Sequence, residues 1–445
     1  MSALALIFTQ KGFRVLGSDR AHDQGHSPEK FRALESAGIK IFPQDGSGVT
    51  SDIDALIISS AVEDSTPDIR VAMEKNIRIR KRADLLAEIF NDSPTGISVA
   101  GTSGKSTVTG MIATVLTQTG YDPTVMNGGI IRNFKTNMRV GQGGIFVTET
   151  DESDGSIALY NPSIAVLNNI ALDHKSIDEL DALFGDFIAR AKKAVILNFD
   201  DTRLKKMQSR ASARIFSYAI NDKSADLVAN DIKFLPGGVN FTVSGHAVHL
   251  HQPGMHNIWN ALACLSVASA LGIKLSDAIA ALESFRGIGR RLEVVGTANG
   301  ITIIDDFAHN PDKISATLAT LKEFNGRVII IFQPHGFGPL KLMGRQIADS
   351  FIKYMDKDDL LFMPEAYYAG GTVDRSVTAK DVIKFVSDAG KQAQWFQERA
   401  EILPRTLTDA RPGDRIVIMG ARDDTLSDFA KEILDSLSAS RSASR

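Results

Sequence analysis

Short apolar, β-rich runs punctuate the chain at residues 14–17, 55–59, 97–100, 145–148, 164–167 and 194–197, and again at 301–304, 327–332, 360–363 and 415–419. Stretches with apolar residues at helical spacing lie between most of them. This alternation predicts an α/β chain with largely parallel sheets, because a parallel crossover needs a connection long enough to hold a helix. One stretch breaks the rhythm. Between 232 and 250 the runs crowd together, separated by Pro236-Gly237-Gly238 and Ser244-Gly245, which predicts an antiparallel meander. A turn cluster at 91–96 and the segment Gly287-Ile-Gly-Arg-Arg291 suggest boundaries at about 93 and 294, giving domains 1–93, 94–294 and 295–445. The Ser/Ala/Arg tail at 436–445 reads as disordered.

At roughly 100–200 residues per domain, a chain of 445 residues fits this division. Hydrophobic residues at 43% and charged residues at 23% exclude global disorder, collagen and coiled coil. With 50 Lys plus Arg against 53 Asp plus Glu, the chain carries no electrostatic footprint for non-specific nucleic-acid binding. One cysteine, Cys264, excludes an intrachain disulfide framework and a cysteine-based zinc site. No apolar run is long enough to span a membrane. The opening Met1-Ser-Ala-Leu-Ala-Leu-Ile-Phe has neither a basic n-region nor a small-residue cleavage site, so the expected location is the cytoplasm.

The strongest local signal is Ile97-Ser-Val-Ala-Gly101-Thr102-Ser103-Gly104-Lys105-Ser106-Thr107, a strand running into a Gly-rich turn and then a helix. The helix carries an apolar stripe at Val108, Met111, Ile112, Val115 and Leu116. Gly101 and Gly104 let backbone N–H groups converge on phosphate oxygens, and the helix N-terminus adds positive potential. Lys105 can reach β- and γ-phosphates and the Ser106 hydroxyl can bind Mg²⁺. Val99 stands where a strict Walker A loop has glycine, so the loop is a variant.

Glu149 follows the run at 145–148 and opens Glu-Thr-Asp-Glu-Ser-Asp154. Asn168-Asn169-Ile-Ala-Leu-Asp173-His174 follows the next run. Both lie at the C-terminal ends of predicted parallel strands, where α/β ligand sites form. Mg²⁺ prefers oxygen, which makes Glu149 its natural protein ligand. Pro253-Gly-Met-His256-Asn257-Ile-Trp-Asn260 opens a further helix, with Cys264 read as packing inside it.

At this point the residues resemble the Mur ligases, the ATP-dependent amide-forming enzymes of peptidoglycan synthesis. The family pattern Gly-Thr-x-Gly-Lys-Thr/Ser matches 101–106, Asn-x-x-x-Asp-His matches 169–174, and His-Asn-x-x-Asn-Ala matches 256–261. Arg291-Leu-Glu293 and Asp306-Phe-Ala-His309-Asn-Pro311 follow in family order. Within the family the chain is most similar to the type that joins UDP-N-acetylmuramate to L-alanine. The type that attaches a whole peptide in recycling is the near alternative. The shared elements are Gly17-Ser18-Asp19, Ser59-Ser60-Ala61, Thr136-Asn137, Asp151-Glu152-Ser153-Asp154 and Phe332-Gln-Pro-His335.

The resemblance implies a Rossmann-like N-terminal domain for the UDP-sugar, a central P-loop-type ATPase domain and a Rossmann-like C-terminal domain for the amino acid. It implies that ATP phosphorylates a carboxylate and an amine then displaces phosphate. By the same resemblance Lys105, His174 and His309 lie at the chemistry. Gly101, Thr102, Ser103, Gly104, Lys105, Ser106 and Thr107 hold phosphates. His256, Asn257 and Asn260 surround adenine, Arg291 reaches ribose or phosphate, and Asp306 the ribose hydroxyls. Ser106, Glu149 and His174 form the Mg²⁺ shell, while Ser18, Asp19, Ser60, Asn137, Asp151, Glu152 and Ser153 lie on the substrate side. Physical chemistry agrees in outline. A carboxylate is a poor electrophile until phosphorylation gives it a leaving group, and cations must neutralise the charge during transfer.

Four departures from the family pattern stand out. The family type opens with a strand and a Gly-x-Gly-Gly-x-Gly-Met-Ser loop, whereas Met1-Ser2 stands where that loop ends. The N-terminal sheet is therefore expected to lack its first strand and the diphosphate its glycine cradle. A misassigned start, the favoured reading, or an impaired UDP site would account for it. Gly336-Phe-Gly-Pro-Leu-Lys341 replaces the arginines after Gln-Pro-His, Phe307 replaces a tyrosine, and Ser103 replaces a histidine. These changes keep two other functions open: a divergent or peptide-recycling ligase, and a non-catalytic nucleotide-binding subunit.

Overall fold

The structure, a computed structural model, describes all residues except 26–27, 60–61, 172–175, 236, 368–373, 422, 424 and 441–445. Each β-rich run named above forms a strand, and the crowded stretch forms the meander Leu227–Leu235, Gly238–Val243 and His246–Leu250, antiparallel throughout. The chain folds into two compact units. One comprises Met1–Ile130, Phe134–Asp226 and Ala263–Ala281. The other comprises Ile131–Asn133, Leu227–Leu262 and Leu282–Arg445.

The first unit holds a sheet with the strand order Arg214–Ala219, Ala194–Asn198, Ile164–Leu167, Thr95–Ala100, Ile145–Glu149, Thr124–Ile131 and Thr136–Arg139. From Arg214–Ala219 to Thr124–Ile131 the neighbours run parallel. Thr95–Ala100 is flanked by Ile145–Glu149 on one side and Ile164–Leu167 on the other, both later in the chain. The chain thus leaves this strand in opposite directions, and a crevice opens at its C-terminal end, where the phosphate loop begins. The helix Lys105–Gln118 that follows is buried on nearly all sides, not only along the expected stripe. Its polar Thr109 and Thr114 are enclosed with the rest. Near the N-terminus, Leu16–Ser18 pairs with Lys40–Phe42 and Ala55–Ile58 with Arg78–Lys81, two separate parallel pairs.

The second unit has, besides the meander, a sheet ordered Glu293–Ala298, Ile301–Asp306, Arg415–Gly420, Val328–Gln333, Leu360–Pro364 and Gln392–Phe396. Only the first pair is antiparallel. Side chains alternate across a strand. Val328, Ile330 and Phe332 accordingly pack with residues of the helices Pro311–Lys322, Phe337–Tyr354 and Ala379–Asp388, while Ile329 and Ile331 pack with Ile402–Asp409 and Leu426–Ser440. Both faces are covered, which is why this strand is apolar without interruption from Val328 to Phe332. No helix among the described residues is long and apolar enough to cross a membrane.

Candidate functional site

In the first unit the loop after Thr95–Ala100 turns through Gly101 and Gly104, whose φ angles are 128° and 83°. A β-carbon on Gly101 would meet the Asn169 backbone at 3.0 Å, so the loop approaches its neighbour as closely as glycine allows. The following segment straps it down. Asn169 Oδ1 accepts from Ser103 N at 2.8 Å, and Asn169 Nδ2 donates to Ser103 O at 2.9 Å. Asn168 Nδ2 donates to the same carbonyl at 3.1 Å. Thr102 Oγ1 bonds both backbone groups facing it, donating to Ala171 O at 3.1 Å and accepting from Ala171 N at 3.0 Å. Sequence reasoning marks Asn169 only as part of a motif; the structure gives it the work of holding the loop. Gly104 caps the helix Lys105–Gln118 without a side chain, so the first-turn N–H groups face outward for an anion.

Two carboxylates converge on the loop. Ser106 Oγ donates to Glu149 Oε2 at 2.7 Å. Lys105 Nζ donates to Glu152 Oε2 at 2.7 Å, with Glu152 buried. A buried hydroxyl and a carboxylate in mutual contact form an all-oxygen donor set that suits a hard divalent cation. Gly128 lines the same spot, against Glu149 Oε1 and Ser106 Oγ. Among the described residues no group of three or more His, Cys, Asp or Glu forms a metal cluster. His174, and Ser60 on the substrate side, lie outside the described residues. Thr107 is half-buried in the first helical turn, and Asp151 and Ser153 are exposed, joined by an Asp151 Oδ1 bond from Ser153 N at 2.9 Å. Ser18 donates to the Asp68 carboxylate. Asp19 caps a short helix by accepting from Ala21 N at 2.9 Å. Asn137 sits half-buried on the strand Thr136–Arg139.

The second unit gathers the remaining expected residues. Asp306 ends its strand buried, accepting from Leu292 N at 2.6 Å, Ala308 N at 2.8 Å and Thr317 Oγ1 at 3.0 Å. Burial pushes its carboxyl pKa upward against these bonds. Arg290 and Arg291 lie over the Phe307 ring, their guanidinium carbons 5.1 and 5.0 Å from its centroid. Arg290 and Leu292 hold φ angles of 58° and 46°, a left-handed backbone on both sides of Arg291. Asn257 Nδ2 donates to Pro253 O at 2.7 Å, and Asn260 Nδ2 donates to Asn257 Oδ1 at 3.1 Å. His309 Nδ1 lies 2.8 Å from Phe307 O. A carbonyl can only accept, so Nδ1 carries the proton and Nε2 of the neutral ring keeps its lone pair. The ring meets His335 edge-on at 4.9 Å. His335 is buried, and in the sequence it stands out only as part of a shared element. In the altered segment, which opens the helix Phe337–Tyr354, Lys341 Nζ pairs with Asp374 at 2.5 Å, and Arg375 lies over Phe337 at 5.1 Å.

Burial, then Arg291, pulls the His256 pKa down from 6.5 to about 4. Burial, then Lys313, pulls that of His309 from 6.5 to about 3. Both rings are neutral at pH 7, which makes His309 a hydrogen-bond partner and a weak base. Below pH 6.5 the unfolded chain binds protons that these folded rings refuse, so their share of stability is lost as pH falls from 6.5 towards 4 and 3. Allowing for screening at these half-buried rings, acidification from pH 7 to 5 is expected to cost about 1 kcal/mol per ring. Asp305 and Asp306, both raised chiefly by burial, act in the opposite sense. Urea titrations at the two pH values check this: His309→Asn should shrink the acid loss by its share. An equal loss in the variant would remove His309 from the account.

The family model for the Mur ligase family catalytic domain matches residues 1–93, that for the Mur ligase middle domain matches 99–268, and that for the Mur ligase glutamate ligase domain matches 290–422. The chain is 33% identical over 435 residues to the UDP-N-acetylmuramate–L-alanine ligase of Geotalea uraniireducens, covering 95% of this chain and 92% of that one. The enzyme of the same name from Geobacter sulfurreducens is 34% identical over 436 residues with the same coverage. Among solved structures, the UDP-N-acetylmuramate–alanine ligase MurC of Thermotoga maritima superposes with a TM-score of 0.80 at 25% identity, covering 99% of this chain and 97% of that one. A murein peptide ligase of Psychrobacter arcticus gives 0.72 at 26% identity, covering 98% and 96%.

Proposed function

Because the chain belongs to the Mur ligase family, we propose that it joins the carboxylate of UDP-N-acetylmuramate to L-alanine at the cost of ATP. It is an ADP-forming, ATP-dependent amide ligase of peptidoglycan synthesis with the family's three-domain α/β architecture. The choice of substrates is our reading, supported by the names of the relatives. Cuts near 93 and 294 are supported by the bounds of the three family matches. A cytoplasmic setting fits its dependence on ATP and its single buried cysteine.

One observation carries the mechanism. The loop presents an uncapped helix N-terminus, a lysine and a hydroxyl–carboxylate pair within one crevice. The acceptor carboxylate attacks the γ-phosphorus, the bond to the β,γ-bridging oxygen breaks, and ADP leaves. Lys105 and the first-turn N–H groups balance the charge on the phosphoryl oxygens. Ser106 and Glu149 would hold Mg²⁺, with His174 as a third ligand, and the ion would supply further charge neutralisation. The neutral amine then adds to the acyl carbon, and loss of phosphate leaves the amide. His309, through Nε2, orients the amine or takes its surplus proton. His256, Asn257 and Asn260 receive adenine, Arg291 the ribose or phosphates, and Asp306 the ribose. Ser18, Asp19, Ser60, Asn137, Asp151, Glu152 and Ser153 serve the UDP-sugar side.

The test is ADP release by the purified chain with ATP, Mg²⁺ and UDP-N-acetylmuramate, across a panel of amino acids and peptides. Release dependent on L-alanine is expected. Release that depends on a peptide, or on no amine, would overturn the assignment.

A further inference from the structure

We propose that Gly128 is a positioning residue for the cation end of the nucleotide site: its missing side chain is the space in which Glu149 meets Ser106. The inference rests on the nucleotide–cation reading of that crevice. Thr124–Ile131 runs parallel to Ile145–Glu149 with Met126 opposite Thr148. The next residues of the first strand therefore pass beside Glu149. A β-carbon built on Gly128 would overlap Glu149 Oε1, stand 3.0 Å from Glu149 Cδ and 3.4 Å from Ser106 Oγ.

Neither of the usual reasons for a glycine applies here. Gly128 is not among the residues with positive φ, so its backbone conformation suits any L-residue. Nor is it packed in the core, being exposed on its other side. All three nearest atoms belong to the hydroxyl–carboxylate pair. The strand itself has little room to retreat, since Val125, Met126 and Asn127 before it are buried and Asn127 Nδ2 donates to Gly129 O at 2.9 Å. A methyl group at 128 is thus accommodated by the flexible end of Glu149, which rotates and gives up its bond to Ser106 Oγ. The fold tolerates that rotation; a divalent cation shared by the two side chains does not.

Gly128→Ala should therefore fold as the wild type does, with a melting temperature within a few degrees. It should bind Mn²⁺·ATP at least tenfold more weakly, by calorimetry without acceptor or amine, and need correspondingly more Mg²⁺ for half-maximal turnover. Its kcat at saturating Mg²⁺ should recover most of the wild-type value. Glu149→Asp shortens the side chain by one methylene and should weaken Mn²⁺·ATP binding on its own. Combined with Gly128→Ala, the shorter side chain clears the added methyl group, so the two losses together should be smaller than their product. Unchanged affinity in Gly128→Ala, or losses that simply multiply, would overturn the role of Gly128. Absence of Mn²⁺·ATP binding in the wild type would instead overturn the cation site itself.

Discussion

Lys105→Ala is expected to lower ADP-forming turnover at least a thousandfold, about 4 kcal/mol of barrier. The ammonium is the one mobile cation of the loop. It pairs with Glu152 at 2.7 Å, with side-chain exposures of 17% and 6%. A γ-phosphate held by the loop would compete with Glu152 for this ammonium. The same pairing complicates the single variant, because alanine leaves a buried carboxylate without its partner. A stability loss of about 2–3 kcal/mol follows. Lys105→Ala combined with Glu152→Gln should restore most of the stability and none of the turnover. Turnover near wild type in either variant would sink the loop assignment. A double variant no more stable than the single one would show that Glu152 was never strained by the loss.

How much of this was legible in the sequence depended on what each residue faces. Strands buried on both faces, such as Val328–Gln333, advertise themselves by a run of apolar residues, here Val-Ile-Ile-Ile-Phe. Several others did not. Thr124–Ile131 contains Asn127-Gly128-Gly129, a composition that reads as a turn although it lies within the strand. Arg78–Lys81 ends its sheet with alternating arginines, and Gln392–Phe396 is an edge strand with polar residues on alternate positions. The phosphate loop and Glu149 were readable because backbone and metal chemistry impose residue types locally. The Lys105–Glu152 pair joins residues 47 apart, and the ring contact of His309 with His335 joins segments that follow two strands held on either side of Arg415–Gly420. Neither can be read from local pattern. Asp306 reads from the sequence as a ligand residue alone, although three of its acceptor directions serve the protein.

That structural load makes Asp306 the position where one substitution should damage stability and nucleotide binding together. Asp306→Ala strands Leu292 N–H, Ala308 N–H and the Thr317 hydroxyl, all buried or half-buried. Each orphaned donor costs on the order of 1–3 kcal/mol, offset in part by no longer burying a carboxyl group, so about 3 kcal/mol net is expected. The bond to Leu292 does more than satisfy a donor. Leucine at a φ of 46° is strained, and the Asp306 carboxylate is what holds it there. Released, Leu292 relaxes towards extended backbone and carries Arg291 off the Phe307 ring. The KM for ATP should then rise about tenfold or more, roughly 1.4 kcal/mol. Asp306→Asn separates the two effects. Its amide has one oxygen and one NH₂, so either Leu292 N–H or the Ala308–Thr317 pair faces a donor. If the oxygen stays with Ala308 and Thr317, stability is largely kept while Leu292 is repelled and the KM still rises. If the oxygen turns to Leu292, the KM is kept and the helix Pro311–Lys322 loses its tether, which lowers the denaturation midpoint. A variant that leaves both the midpoint and the KM at wild-type values would show that Asp306 does not hold this segment.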